Sequence, residues 1–266
     1  MLRTAIPFDT PETTRRSAYS KVPEVGFMFW VVKVLTTGMG ETTSDFLVHR
    51  IDPPIAVAIG FAGFVLSLAA QLSAPRYSAW IYWMTLVMVS VFGTMAADVL
   101  HVGLGVPYAA STTAFAAALA AIIALWHRAE GTLSIHSIHR RRREMFYWAT
   151  VLATFALGTA VGDMTAKNFG LGYLDSGLVF AAVIGLPALA WWKFGLAEVP
   201  AFWFAYIVTR PLGASFADWM GVGAERGGLG WGTGPVSLVA LALIVVMVGY
   251  LAATRADVAL DRNATD

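Results

Sequence analysis

Four aspartates in this 266-residue chain recur with a fixed spacing, and a fifth acid, a glutamate, joins the first of them. Asp45, Asp98, Asp163 and Asp218 each follow a tryptophan (Trp30, Trp83, Trp148, Trp203) and a glycine (Gly40, Gly93, Gly158, Gly213) in the pattern W-x9-G-x4-D. Glu41 stands four residues before Asp45, where the other copies have Thr94, Thr159 and Ala214. Carboxylates with threonine hydroxyls suit protons and hard cations such as Mg, Ca or Mn better than soft metals. The chain has no cysteine, which excludes disulfides, thiolate metal sites and thiol catalysis. No Ser/His/Asp arrangement, HExxH or phosphate-binding loop is present, so neither an enzyme nor a bound cofactor is expected.

The elements that carry these acids are apolar. Hydrophobic residues make up 58% of the chain, charged residues 13%, and mean hydropathy is +0.66, against about 25% charged in an ordinary soluble domain. This composition predicts an all-α polytopic membrane protein. Eight segments reach the roughly 20 residues a span needs: about 24–45, 54–72, 79–100, 108–126, 144–163, 173–192, 197–217 and 235–253. Residues 1–21 are polar and lack the apolar core of a signal peptide, so no cleaved leader is expected. Thirteen of the eighteen Lys and Arg fall in the segments on the N-terminal side, which places both termini in the cytoplasm. The loop 127–143, ending in "HRRRR", reads as a basic cytoplasmic segment against anionic headgroups; a nucleic-acid partner is not expected.

The fourfold pattern divides the single membrane domain into hairpin repeats of about 22–72, 77–126, 142–192 and 196–253. Two spans per repeat return the chain to the same side, so the repeats are parallel and all odd helices run outward. At about 100° per residue, the positions 0, +4, +7, +11 and +15 from each tryptophan form one stripe. Its polar members are Thr37, Glu41 and Asp45; Ser90, Thr94 and Asp98; Thr159 and Asp163; Arg210 and Asp218. A polar stripe is costly against lipid, so the odd helices should line the centre and the even helices surround them.

Each polar residue has a structural reading beside a functional one. The glycines let helices approach closely, or loosen the helix at "TTGMGETTSD". The tryptophans anchor at the interface. Pro211 should kink the seventh helix. The aspartates sit where the helix dipole disfavours negative charge; they either cap a neighbouring helix or attract a cation. Glu41 lies about 6 Å deeper, where an isolated charge costs about 2.5 to 3.5 kcal/mol; it either binds an ion or pairs with Arg210. Lys33 is expected to snorkel to the cytoplasmic interface, and His101 and Lys167 to partner the aspartates. Glu41 and the four aspartates against Lys33 and Arg210 leave a formal balance of minus three, which favours cations in a central cavity.

The repeated pattern, from "KVPEVGFMFWVVKVLTTGMGETTSDFL" to "FWFAYIVTRPLGASFADWM", resembles bacterial proteins described as uncharacterised "membrane-anchored" proteins, built from four tandem two-span repeats of unknown function. The resemblance implies a multi-pass protein of the bacterial inner membrane and brings no activity. From the residues, the expectation is a cation transporter, in its most specific form a proton-coupled exporter of a divalent, Mn-like metal. Glu41, Asp45, Asp98, Asp163 and Asp218 are the candidate metal ligands; Thr37, Ser90, Thr94 and Thr159 line the path; Arg210 and Lys33 are internal countercharges. Lipid and a small cation are the expected partners, with a homo-oligomer as an option. The alternatives are a cation channel and a structural or partner-binding protein.

Overall fold

In lipid no water satisfies the backbone, so a spanning segment folds as a helix that pairs its own N–H and C=O groups. The computed structural model describes residues 20–258, which form helices with short connections and no strand. All but the last two residues of the expected N-terminal segment 1–21 lie outside the described residues. Eight helices follow one another: α1 Phe27–Arg50, α2 Pro53–Ser73, α3 Ala79–Gly103, α4 Tyr108–Glu130, α5 Arg141–Asn168, α6 Gly172–Phe194, α7 Glu198–Gly221 and α8 Thr233–Thr254. Helices α3 and α5 end in π-helical turns, Val99–Gly103 and Met164–Asn168, directly after Asp98 and Asp163. Helix α6 is interrupted at Ile184. Helix α7 stays helical through Pro211.

Six of the eight helices are long and apolar enough to cross a membrane, the build of a membrane protein. Helices α1 and α7 fall outside that set. They carry Lys33, Glu41 and Arg210, all buried, and their polarity is spent inside the protein.

Helices α1, α3, α5 and α7 pack in a closed ring, each against the next and α7 against α1. The even helices lie outside. Only 17 to 22% of the apolar windows of α2, α4, α6 and α8 is buried, against 50 and 61% for α3 and α5; side chains such as Ile55, Leu66, Leu238 and Val246 face outward. Each even helix packs mainly on the odd helix of the following repeat: α2 on α3, α4 on α5, α6 on α7, and α8 on α1. The unit of sequence is a hairpin, whereas the unit of packing spans two repeats.

The repeat glycine sets the ring's spacing. A Cβ at Gly40 would overlap Ser90, at Gly93 it would lie 2.9 Å from the Phe155 Cβ, at Gly158 it would overlap Arg210, and at Gly213 it would overlap Thr37. In every case the partner is the +7 residue of the next repeat around the ring. Close approach is therefore the role of these glycines. Helix α1 is unbroken through Gly38 and Gly40, and the loosened-helix alternative does not occur.

The tryptophan end of the ring is filled by rings. Trp83, Trp148 and Trp203 are buried among Phe29, Tyr82, Tyr147 and Tyr206, which corrects their assignment as interface anchors. An aromatic residue precedes each repeat tryptophan (Phe29, Tyr82, Tyr147, Phe202), so paired rings from four helices close this end. The tryptophans exposed on the surface are Trp80, Trp191, Trp192 and Trp231, outside the repeat pattern.

Candidate functional site: a charged centre beneath an acidic cluster

Arg210 extends from α7 into the middle of the ring and is fully buried. Its Nη2 donates to Glu41 Oε2 on α1 at 2.5 Å, to Thr159 Oγ1 on α5 at 2.7 Å, and to Thr94 Oγ1 on α3. Its Nη1 reaches the Thr37 carbonyl at 3.4 Å. The residue at +7 in the fourth repeat thus joins the +11 residues of the other three. Its own +11 residue, Ala214, has no polar group to offer. Glu41 is 5% exposed, so the pair exchanges charge-assisted hydrogen bonds in a medium that screens them little.

The other stripe residues act between helices. Ser90 Oγ donates to the Thr36 carbonyl at 2.9 Å, and Thr37 Oγ1 to the Thr209 carbonyl at 3.2 Å and the Val34 carbonyl at 2.6 Å. These bonds stitch the same neighbours that the glycines bring together.

Lys33 does not snorkel. It is fully buried, with Nζ 4.0 Å from the centre of the Tyr206 ring and 4.4 Å from that of Phe155, and it has no hydrogen-bond partner. The ammonium lies over two aromatic faces, whose negative quadrupoles attract it. The Arg210 guanidinium carbon is 5.5 Å from the same Phe155 ring. Phe155 occupies the third repeat's +7 position and is a participant that its apolar type concealed. Toward the tryptophan end, Tyr82 and Tyr147 share a hydrogen bond of 2.5 Å between their hydroxyls.

Toward the opposite end stand the aspartates. Asp45, Asp98 and Asp218 each interact electrostatically with Glu41, Asp163 and Lys167, so the five acids form one field. Lys167 pairs with Asp163 at 2.9 Å and donates to the Tyr108 hydroxyl at 3.2 Å; the Tyr108 ring stacks on His101 at 4.2 Å. None of α2, α4, α6 and α8 has a side-chain cap hydrogen bond, so helix capping does not explain the aspartates. Among the described residues no group of three or more His, Asp or Glu is placed to hold a metal ion; the five candidate metal ligands share a field without forming a coordination shell.

Away from the centre, charges fasten the connections. Lys21 pairs with buried Glu144 at 2.7 Å, and Gln71 donates to the other Glu144 oxygen at 2.9 Å. From the basic run, Arg143 bonds Glu130 at 2.7 Å and Arg142 bonds the same carboxylate, tying α4 to α5. Part of the run expected to face lipid headgroups thus serves the protein itself.

The fold and its centre define a four-repeat helical membrane protein whose only fully closed ion pair across the ring is Glu41–Arg210 among the described residues. The chain belongs to the family described as Repeat of Unknown Function (DUF347), whose model matches it at residues 28–77, 81–132, 146–196 and 201–257. Each match opens two residues before a repeat tryptophan. No curated protein and no solved structure matches the chain.

Proposed function

We propose that the chain is a cation transporter that crosses the membrane with all eight helices, its four repeats surrounding a central pathway. The observation that carries this reading is the buried Glu41–Arg210 pair directly beneath a field of four further carboxylates. The aspartates concentrate cations at one end. Glu41 is the acid on which a cation would dwell, and Arg210 is the countercharge it must displace. The aromatic layer and Lys33 close the other end. By the distribution of Lys and Arg, the aspartate side is the outer one.

A second reading has its own support. Arg210 joins all three other ring helices, which is also what a purely architectural rivet would do. Ion flux into proteoliposomes separates the two. Transport predicts cation flux in the wild type that falls at least tenfold in Glu41→Gln reconstituted to the same folded level. Absence of flux for Na, K, Mg, Ca and Mn alike would leave the architectural reading.

A further inference from the structure

The geometry points to a binding site for a small monovalent inorganic cation of the sodium class, centred where Arg210 Nη2 now lies. This deepens the transport reading above by naming the ion's class. Three oxygens from three helices converge on that one atom: Glu41 Oε2 at 2.5 Å, Thr159 Oγ1 at 2.7 Å and Thr94 Oγ1. Such separations are close to those at which oxygens surround a hard cation, roughly 2.3 to 2.6 Å for calcium.

Both hydroxyls are already turned for this task. Thr94 Oγ1 has the Ser90 carbonyl at 3.0 Å as the nearer acceptor for its hydrogen, with Glu41 Oε2 at 3.4 Å, and Thr159 Oγ1 donates to the Phe155 carbonyl at 3.2 Å. Their lone pairs are thereby left facing the centre.

Charge selects the valence. Glu41 supplies one negative charge, and Arg210 matches it with one positive charge. A monovalent ion in place of the guanidinium preserves neutrality in a site sealed from water, whereas a divalent ion would leave one positive charge uncompensated at low dielectric. Among the described residues no second carboxylate accepts a hydrogen bond from the guanidinium; its partners are Glu41, Thr94, Thr159 and the Thr37 carbonyl.

Arginine is an imperfect occupant. Its Nε is buried without a partner, a cost for any buried donor. Arg210 therefore acts as a resident counterion that keeps the site neutral when no ion is bound, and the ion and the guanidinium take turns on the same oxygens.

The test is equilibrium binding to the purified full chain in detergent. In Arg210→Met, the unfolding midpoint should rise saturably with NaCl relative to choline chloride at equal ionic strength, and adding Glu41→Gln should abolish the rise. A folded Arg210→Met indifferent to sodium overturns the assignment, as does stronger stabilisation by Ca or Mn than by Na. If Arg210→Met folds in no salt, radioactive sodium binding to the wild type is compared with Thr94→Val/Thr159→Val. Loss of bound sodium in the valine variant supports the site; equal binding in both, or none in either, overturns it. Flux without a sodium effect would sink this site and leave transport standing, while sodium binding without flux would do the reverse.

Discussion

Removing the Glu41 charge should cost far more than removing it together with its partner. Glu41→Gln leaves the Arg210 charge fully buried among neutral acceptors alone: Thr94, Thr159, a carbonyl at 3.4 Å and the amide oxygen at position 41. Breaking a buried pair from one side typically costs about 3 to 5 kcal/mol, and a lone charge at mid-membrane about 2.5 to 3.5 kcal/mol. The side chains are 0 and 6% exposed, so solvent screening gives little relief, but the two threonine contacts survive. A loss of about 3 kcal/mol is expected for Glu41→Gln. The double variant Glu41→Gln/Arg210→Met removes both charges of the pair and should unfold within about 1 kcal/mol of the wild type. Reversible unfolding in mixed micelles, run as a double-mutant cycle, reads both quantities. A single variant as stable as the wild type, or a double variant no better than the single, would refute the assignment of Arg210 as the group that neutralises Glu41.

Gly158→Ala should destabilise by about 1 to 3 kcal/mol, because its Cβ would overlap the Arg210 side chain; Gly26→Ala, whose Cβ would meet nothing within 4 Å, is the control, and both are read by the same unfolding assay. Asp257, outside the spans, has its carboxyl pKa raised chiefly by burial, while the Tyr77 hydroxyl that donates to it opposes the rise. Its protonated form is favoured by folding, so the stability it adds is complete below the unfolded value of about 3.9 and is lost as pH rises through the folded value. Asp257→Asn should flatten that part of the stability–pH curve.

Helix number, repeat period and the polar stripe follow from the chain because each rests on residue type at a fixed spacing. The sequence offers Arg210 as one of two fates for Glu41, an ion or a salt bridge, and the structure forms the pair. Lys33 departs from the snorkelling expectation for a physical reason: a long aliphatic amine near a helix end ordinarily reaches water, but here Phe155 and Tyr206 receive it, and their availability depends on which helices adjoin. The aromatic pairs Phe29–Trp30, Tyr82–Trp83, Tyr147–Trp148 and Phe202–Trp203 were visible in the sequence. In the sequence the tryptophans alone suggest an interfacial belt, because ring packing across the bundle depends on tertiary neighbours. The seating of each repeat glycine on the next repeat's +7 residue is likewise a property of ring closure.

The handover of each outer helix to the following repeat has a consequence for biosynthesis. Helix α1 receives its outer cover from α8 and its counterion from α7, both made long after it. Glu41 and Arg210 are 169 residues apart, so at about 5 to 20 residues per second the carboxylate waits roughly 10 to 30 s for its partner. Throughout that interval the first helix carries an unmatched acid. A chain stopped after three repeats would present that acid, together with an uncovered flank of α1, as a signal that assembly is unfinished.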